Sequence, residues 1–136
     1  MSGIGSVTRK LGGVFLSAAV CTAALAAPAA AQVSGDAVRV GVLNDQSGPY
    51  ADPQGPGSVA SARLAIRDFG GTVLGKPIEL IVGDHQNKAD IGANIARKWI
   101  DVDGVDTLVD FGNSAVSLAV QDLAKNKAVV LNVSSV

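Results

Sequence analysis

The sequence predicts an α/β fold built on a parallel, doubly wound sheet. Short apolar runs rich in β-branched residues recur at Val38–Leu43, Ile78–Gly83, Thr107–Phe111 and Ala128–Val133, and amphipathic helical patterns separate them. A β-α-β-α-β-α-β alternation demands right-handed crossovers, which bury the sheet on both faces and bring every strand's C-terminal end to one edge. Polar and Gly/Pro-rich loops follow those strand ends, which is where open α/β folds place ligands.

The first strand, Val38-Arg39-Val40-Gly41-Val42-Leu43, is continuous enough in apolar character to be buried on both faces. It empties into a long loop, Asn44–Ser58, whose glycines, prolines and short polar side chains suit a binding edge. Val59, Ala62, Ile66 and Phe69 then recur at helical spacing, predicting a helix from about Gly57 to Phe69 that Gly70-Gly71 ends. A turn through Gly75-Lys76-Pro77 leads to the second strand and on to Asp84-His85-Gln86-Asn87. The second helix carries Ile91, Ile95, Trp99 and Val102 as its apolar stripe and closes at Asp103-Gly104. A third strand precedes Gly112-Asn113-Ser114, with Ser114 as the expected cap of a helix whose inner face is Val116, Ala119, Val120, Leu123 and Ala124. The fourth strand ends two or three residues before Val136.

Ahead of the first strand, Arg9 and Lys10 precede an uncharged stretch, Leu11–Ala31, that ends in Pro28-Ala29-Ala30-Ala31. A basic start, an Ala-rich apolar run, a helix-breaking proline and small residues at the −3 and −1 positions predict a secretory signal peptide over residues 1–31, cleaved after Ala31. A membrane anchor of that length is disfavoured, because alanine contributes little insertion energy and Pro28 falls where the apolar end is needed. Lipidation at Cys21 is disfavoured by Val20, since a small residue is expected there. Taking Arg9 and Lys10 away leaves 9 Lys/Arg against 12 Asp/Glu, a net charge of −3, which argues against a nucleic-acid partner. The mature segment, 32–136, holds no cysteine, so neither a disulfide nor thiol catalysis is available to it.

Enzyme motifs are missing. Gly55-Pro56-Gly57 comes too late after the first strand for a dinucleotide fingerprint, and neither a phosphate loop nor a nucleophile elbow occurs. His85 is the lone histidine. It is either a base at a strand end or a loop residue that helps Asp84 and Asn87 satisfy the next helix, and the missing elbow favours the second reading. Asp101, Asp103, Asp106 and Asp110 lack the rest of an EF-hand loop and are expected as a solvated helix end, while Trp99 is expected in the core. Neither cofactor nor metal is expected. The candidate binding groups are Ser47 after the first strand, Asn113 and Ser114 after the third, and Ser134 and Ser135 after the fourth, with the dipole of the Ser114 helix favouring an anion.

Val40-Gly41-Val42-Leu43 with Ser47-Gly48-Pro49-Tyr50-Ala51, then Asp68-Phe69-Gly70-Gly71, Gly75-Lys76-Pro77-Ile78-Glu79-Leu80 and Asn113-Ser114, resembles the substrate-binding proteins of ABC importers of the branched-chain amino-acid type. The likeness spans Val38–Val136, and Asp84–Asp90 is also similar to members that take up aromatic acids. It implies a periplasmic, non-enzymatic receptor whose two α/β lobes close over a small carboxylate-bearing ligand for an ABC permease. It further implies that Ser114 and Ser135 fix the carboxylate, and that the loop from Ser47 to Pro53 closes over the rest of the ligand. Tyr50 or Pro53 then lies near the family's aromatic wall, with proline where the family has an aromatic. Such chains run to about three times this length, so residues 32–136 are expected to be most of one lobe, with the other lobe beyond Val136. A sensor module of the same fold, followed by a membrane helix and a signalling domain, is the rival expectation.

Overall fold

The computed structural model describes residue 33 and residues 35–133; the predicted signal peptide, Ser134 and Ser135 lie outside the described residues. Strand β1 (Val38–Asn44) sits at the centre of a five-stranded sheet. It pairs in parallel with β3 (Lys76–Asp84) on one side and β4 (Thr107–Val109) on the other, so that Val40 lies opposite both Leu80 and Thr107. Strand β5 (Val129–Leu131) extends the sheet beyond β4, and β2 (Thr72–Val73) adds an antiparallel edge to β3. The order β2-β3-β1-β4-β5 makes the chain leave β1 first to one side and then to the other. The ends of β1 and β4 therefore flank the switch point where such sheets open a crevice.

The antiparallel edge was not among the expected strands. It arises because Leu74 and Gly75 both take positive φ, 53° and 74°, which lets a two-residue turn follow the twist of a tight hairpin.

Helix α1 spans Ala51–Phe69, with a break at Gly55. Pro56 follows the break, and the run beyond it matches the predicted helix. The C-terminal end is a Schellman motif: Gly71 N–H donates to Ile66 O and Gly70 N–H to Arg67 O, with Gly70 left-handed. Helix α2 (Ala89–Lys98) widens into one π turn, Trp99–Asp103, and α3 spans Ser114–Ala124.

Helices α2 and α3 lie against each other on one face of the sheet. Between them and the strands sits the core: Leu43, Ala96, Trp99, Val105, Leu108, Phe111, Val116 and Val120. Trp99 is central to it, as expected, and the strands make room for its ring. A Cβ added to Gly41 would stand 2.5 Å from Trp99 Cζ3.

Two stripe positions depart from expectation. Val102 is 75% exposed, because the π turn adds a residue to the turn and carries it off the face begun by Ile91 and Ile95. Phe69 is 67% exposed at the end of α1, a helix of which only Gly55 is buried. The sheet's α1 side is correspondingly thin. Val130 packs into the core, so by alternation Val129 and Leu131 point to the α1 side, where both are at least half exposed.

Candidate functional site

The C-terminal edge of the sheet is held by a network of buried polar side chains. Strand β1 runs into Asn44 and Asp45, both fully buried. The Asp45 carboxylate accepts from the Gly48 and Tyr50 amides at 2.7 and 3.0 Å and so winds the following loop around itself. Asn44 Nδ2 donates to Gln54 O and to Asp110 Oδ2, each at 2.8 Å, which ties the start of α1 to the end of β4. A buried amide and carboxylate so matched satisfy each other where water cannot.

At the end of β3, Asp84 collects three donors: Gln46 N–H at 3.0 Å, Gln86 N–H at 2.9 Å and the Ser47 hydroxyl at 2.6 Å. Burial pushes this carboxyl up, but the Ser47 hydroxyl and the two amides outweigh it and hold it below the ordinary carboxylate value. Ser47 is exposed, yet its proton is committed to Asp84.

His85 is fully buried. Its Nδ1 accepts from the Asn87 amide at 3.0 Å, while Nε2 meets Phe111 O. It does not help cap α2 with Asp84 and Asn87 as expected: α2 begins after Lys88 with no side-chain cap bond. Instead it joins the ends of β3 and β4.

The α3 cap is Asn113 rather than Ser114. Asn113 Oδ1 accepts from Ala115 N at 2.8 Å and Val116 N at 3.0 Å, and Asn113 Nδ2 donates to Asn87 Oδ1. Ser114 is the first helical residue, exposed at the helix end. Two first-turn amides are thus already taken, so an anion here would meet the helix dipole and Ser114 rather than the whole first turn.

The described candidate residues share one edge but not one cavity. Pro53, with Val42, Val109, Asp110 and Val133, lines a cleft of about 450 Å³ on the α1 side. Ser114 lines another of about 270 Å³ with Ser117, Leu118, Gln121 and Asn132. Tyr50 is half-buried between Asp45 and α1. Gln54 stands over the gap between β1 and β4: its Oε1 is buried without a hydrogen-bond partner among the described residues, against Gly112, whose φ is +61°.

The acidic group divides. Asp101 and Asp103 accept from Lys127 and Lys98 near the end of the π turn, in keeping with a solvated helix end. Asp106 and Asp110 do not belong to it. Asp106 accepts from the Arg39 amide at 2.9 Å, and Asp110 is buried against Asn44. Neither Asn44, Asp45 nor Asp110 was singled out for this network, although Asn and Asp clustered just past strand ends were the available signal.

A family model of periplasmic binding proteins matches residues 37–136. The chain belongs to the periplasmic binding protein family. A solved periplasmic binding protein from Burkholderia mallei is 47% identical, with a TM-score of 0.70 over 74% of this chain. A branched-chain amino acid ABC transporter periplasmic ligand-binding protein from Burkholderia xenovorans is also 47% identical, with a TM-score of 0.64 over 70% of this chain. A solute binding protein of an ABC transporter from Rhodopseudomonas palustris, solved in complex with 3,4-dihydroxy benzoic acid, is 28% identical with a TM-score of 0.69 over 74% of this chain. This periplasmic binding protein chain spans about a quarter of those structures, 27%, 25% and 28% of their lengths. Among curated proteins, none matches.

Proposed function

We propose that this chain supplies the first lobe of a solute receptor for an ABC importer, and that the lobe takes a small carboxylate-bearing ligand at the C-terminal edge of its sheet. The observation that carries the reading is Ser114 at the N-terminal end of α3, beside a cap and loop already fixed by Asn113 and Asn87. A hydroxyl at the positive end of a helix dipole suits a carboxylate. The relatives' ligand classes, branched-chain amino acids and an aromatic acid, share that group.

Ser47, Tyr50 and Pro53 form the wall facing the rest of the ligand, and Ser135 joins Ser114 at the carboxylate. A second lobe completes the cleft, and a membrane permease receives the ligand. Residues 1–31 direct export and are cleaved off in the process, and N-terminal sequencing of the exported chain should begin at Gln32.

The test is calorimetry of the full-length protein, with the second lobe present, against leucine, isoleucine, valine and 3,4-dihydroxybenzoate, alongside thermal unfolding. A ligand at a thousand times its Kd should add about 4 kcal/mol of stability. Ser114→Ala should weaken the best ligand by roughly tenfold, the loss expected for one hydrogen bond to a charged group. Unchanged affinity in Ser114→Ala would remove Ser114 from the site.

A further inference from the structure

We infer that His85 is a positioning residue for the binding edge: through Asn87 and Phe111 it sets where the N-terminus of α3 stands. The inference rests on the proposed reading of Ser114 for its functional meaning, though not for its geometry.

The imidazole is fully buried, so its two nitrogens must find protein partners. Because Nδ1 accepts from the Asn87 amide, it carries no proton, and the neutral ring holds its hydrogen on Nε2, where it donates to Phe111 O. Each bond leads to Asn113 by a different route. Asn87 takes a left-handed φ of 56°, and its Oδ1 accepts from Asn113 Nδ2. Phe111 is two residues ahead of Asn113, with left-handed Gly112 between them. Asn113 in turn caps the Ala115 and Val116 amides.

One ring therefore references the end of β3 to both sides of the α3 cap. A hydrophobic side chain of similar size would fill the space but leave the Asn87 amide and Phe111 carbonyl without partners. Asparagine at this position retains an acceptor near Nδ1, and glutamine retains a donor near Nε2, so the two substitutions separate the routes.

The experiment uses the full chain with His85→Asn and His85→Gln. Amide hydrogen exchange is followed at Ala115 and Val116, with Ala96 in α2 as the internal reference. His85→Gln loses the Asn87 bond and His85→Asn the Phe111 bond, so exchange at Ala115 and Val116 should rise on the order of tenfold in each while Ala96 keeps its rate. Equal proportional changes at all three amides, or none at Ala115 and Val116 in either variant, would overturn the inference. Nitrogen NMR of the unsubstituted chain gives a check that needs no variant to fold: a proton on Nδ1 would also overturn it. Calorimetry of the two-lobed protein with leucine and 3,4-dihydroxybenzoate should show weaker binding in both variants than in the unsubstituted protein. If the unsubstituted two-lobed protein binds none of the four carboxylates, the proposed function fails, while the exchange rates still decide the role of His85.

Discussion

Replacing Gly41 with alanine tests the tightest joint in the core. The added Cβ would lie 2.5 Å from Cζ3 and 2.7 Å from Cε3 of Trp99, against an ordinary carbon contact of about 3.5–4.0 Å. The indole would have to retreat by roughly 1 Å, and the same rim of its benzo ring also lies close to β3, where a Cβ on Gly83 would be 3.0 Å from Cη2. Overpacking of this kind costs about 1–3 kcal/mol, and exchanging glycine for alanine in a strand returns about 0.5–1 kcal/mol. The net expectation is a loss of about 1–2 kcal/mol, or a Tm lower by roughly 5–15 °C for a domain of this size. Trp99 is the single tryptophan of the chain, so its fluorescence reports the affected site directly. Trp99→Phe in the Gly41→Ala background, followed by circular dichroism, should recover about 1 kcal/mol through coupling of the two positions. A Gly41→Ala chain that unfolds at or above the native Tm, or a double variant with purely additive losses, would refute the packing argument.

Asn113→Ala should lower stability by about 1 kcal/mol through loss of the α3 cap and weaken ligand binding with it; urea unfolding and calorimetry measure the two. Asp84 has a depressed carboxyl, so its contribution is present above the unfolded carboxyl value and lost as pH falls through the lower folded value. Asp84→Asn should therefore cost about 1 kcal/mol at neutral pH and flatten the acid side of the stability profile below about pH 4, as read from unfolding midpoints over a pH series.

The order of the parallel strands and the helices was legible because each of them announced itself within its own dozen residues. Hydrophobic period is a local property, and the core residues Leu43, Leu108, Val116 and Val120 followed from it. The π turn was not legible, since it changes the period inside what reads as one stripe, and Val102 went to solvent as a result. Asn113 and Ser114 are both good caps, and sequence alone does not decide between adjacent candidates; the positions of the Ala115 and Val116 amides do. The site's polar network lay furthest from view. Asn44 and Asp110 are 66 residues apart, and Ser47 and Asp84 are 37 apart, so their pairing exists only once the register of β1 against its neighbours is set. The partner of Ser47 was hidden for the same reason, since Asp84 could not be seen from its own loop.

Gln86, Asn87, Asp110 and Gly112 all hold positive φ, and all lie at the ends of β3 and β4. Only one of the four is glycine, so three side chains occupy a backbone region that costs each of them about 1 kcal/mol or more. That expense is met during folding, by Asn44, Asp84 and His85, before any solute arrives. Under the proposed function such an edge is preorganised: an incoming molecule need not spend its own interaction energy freezing these loops, and more of that energy remains as affinity. The same arrangement sets a conflict for anyone seeking a sturdier chain, because glycine at Asn87 would relax the backbone while removing the amide that steadies Asn113.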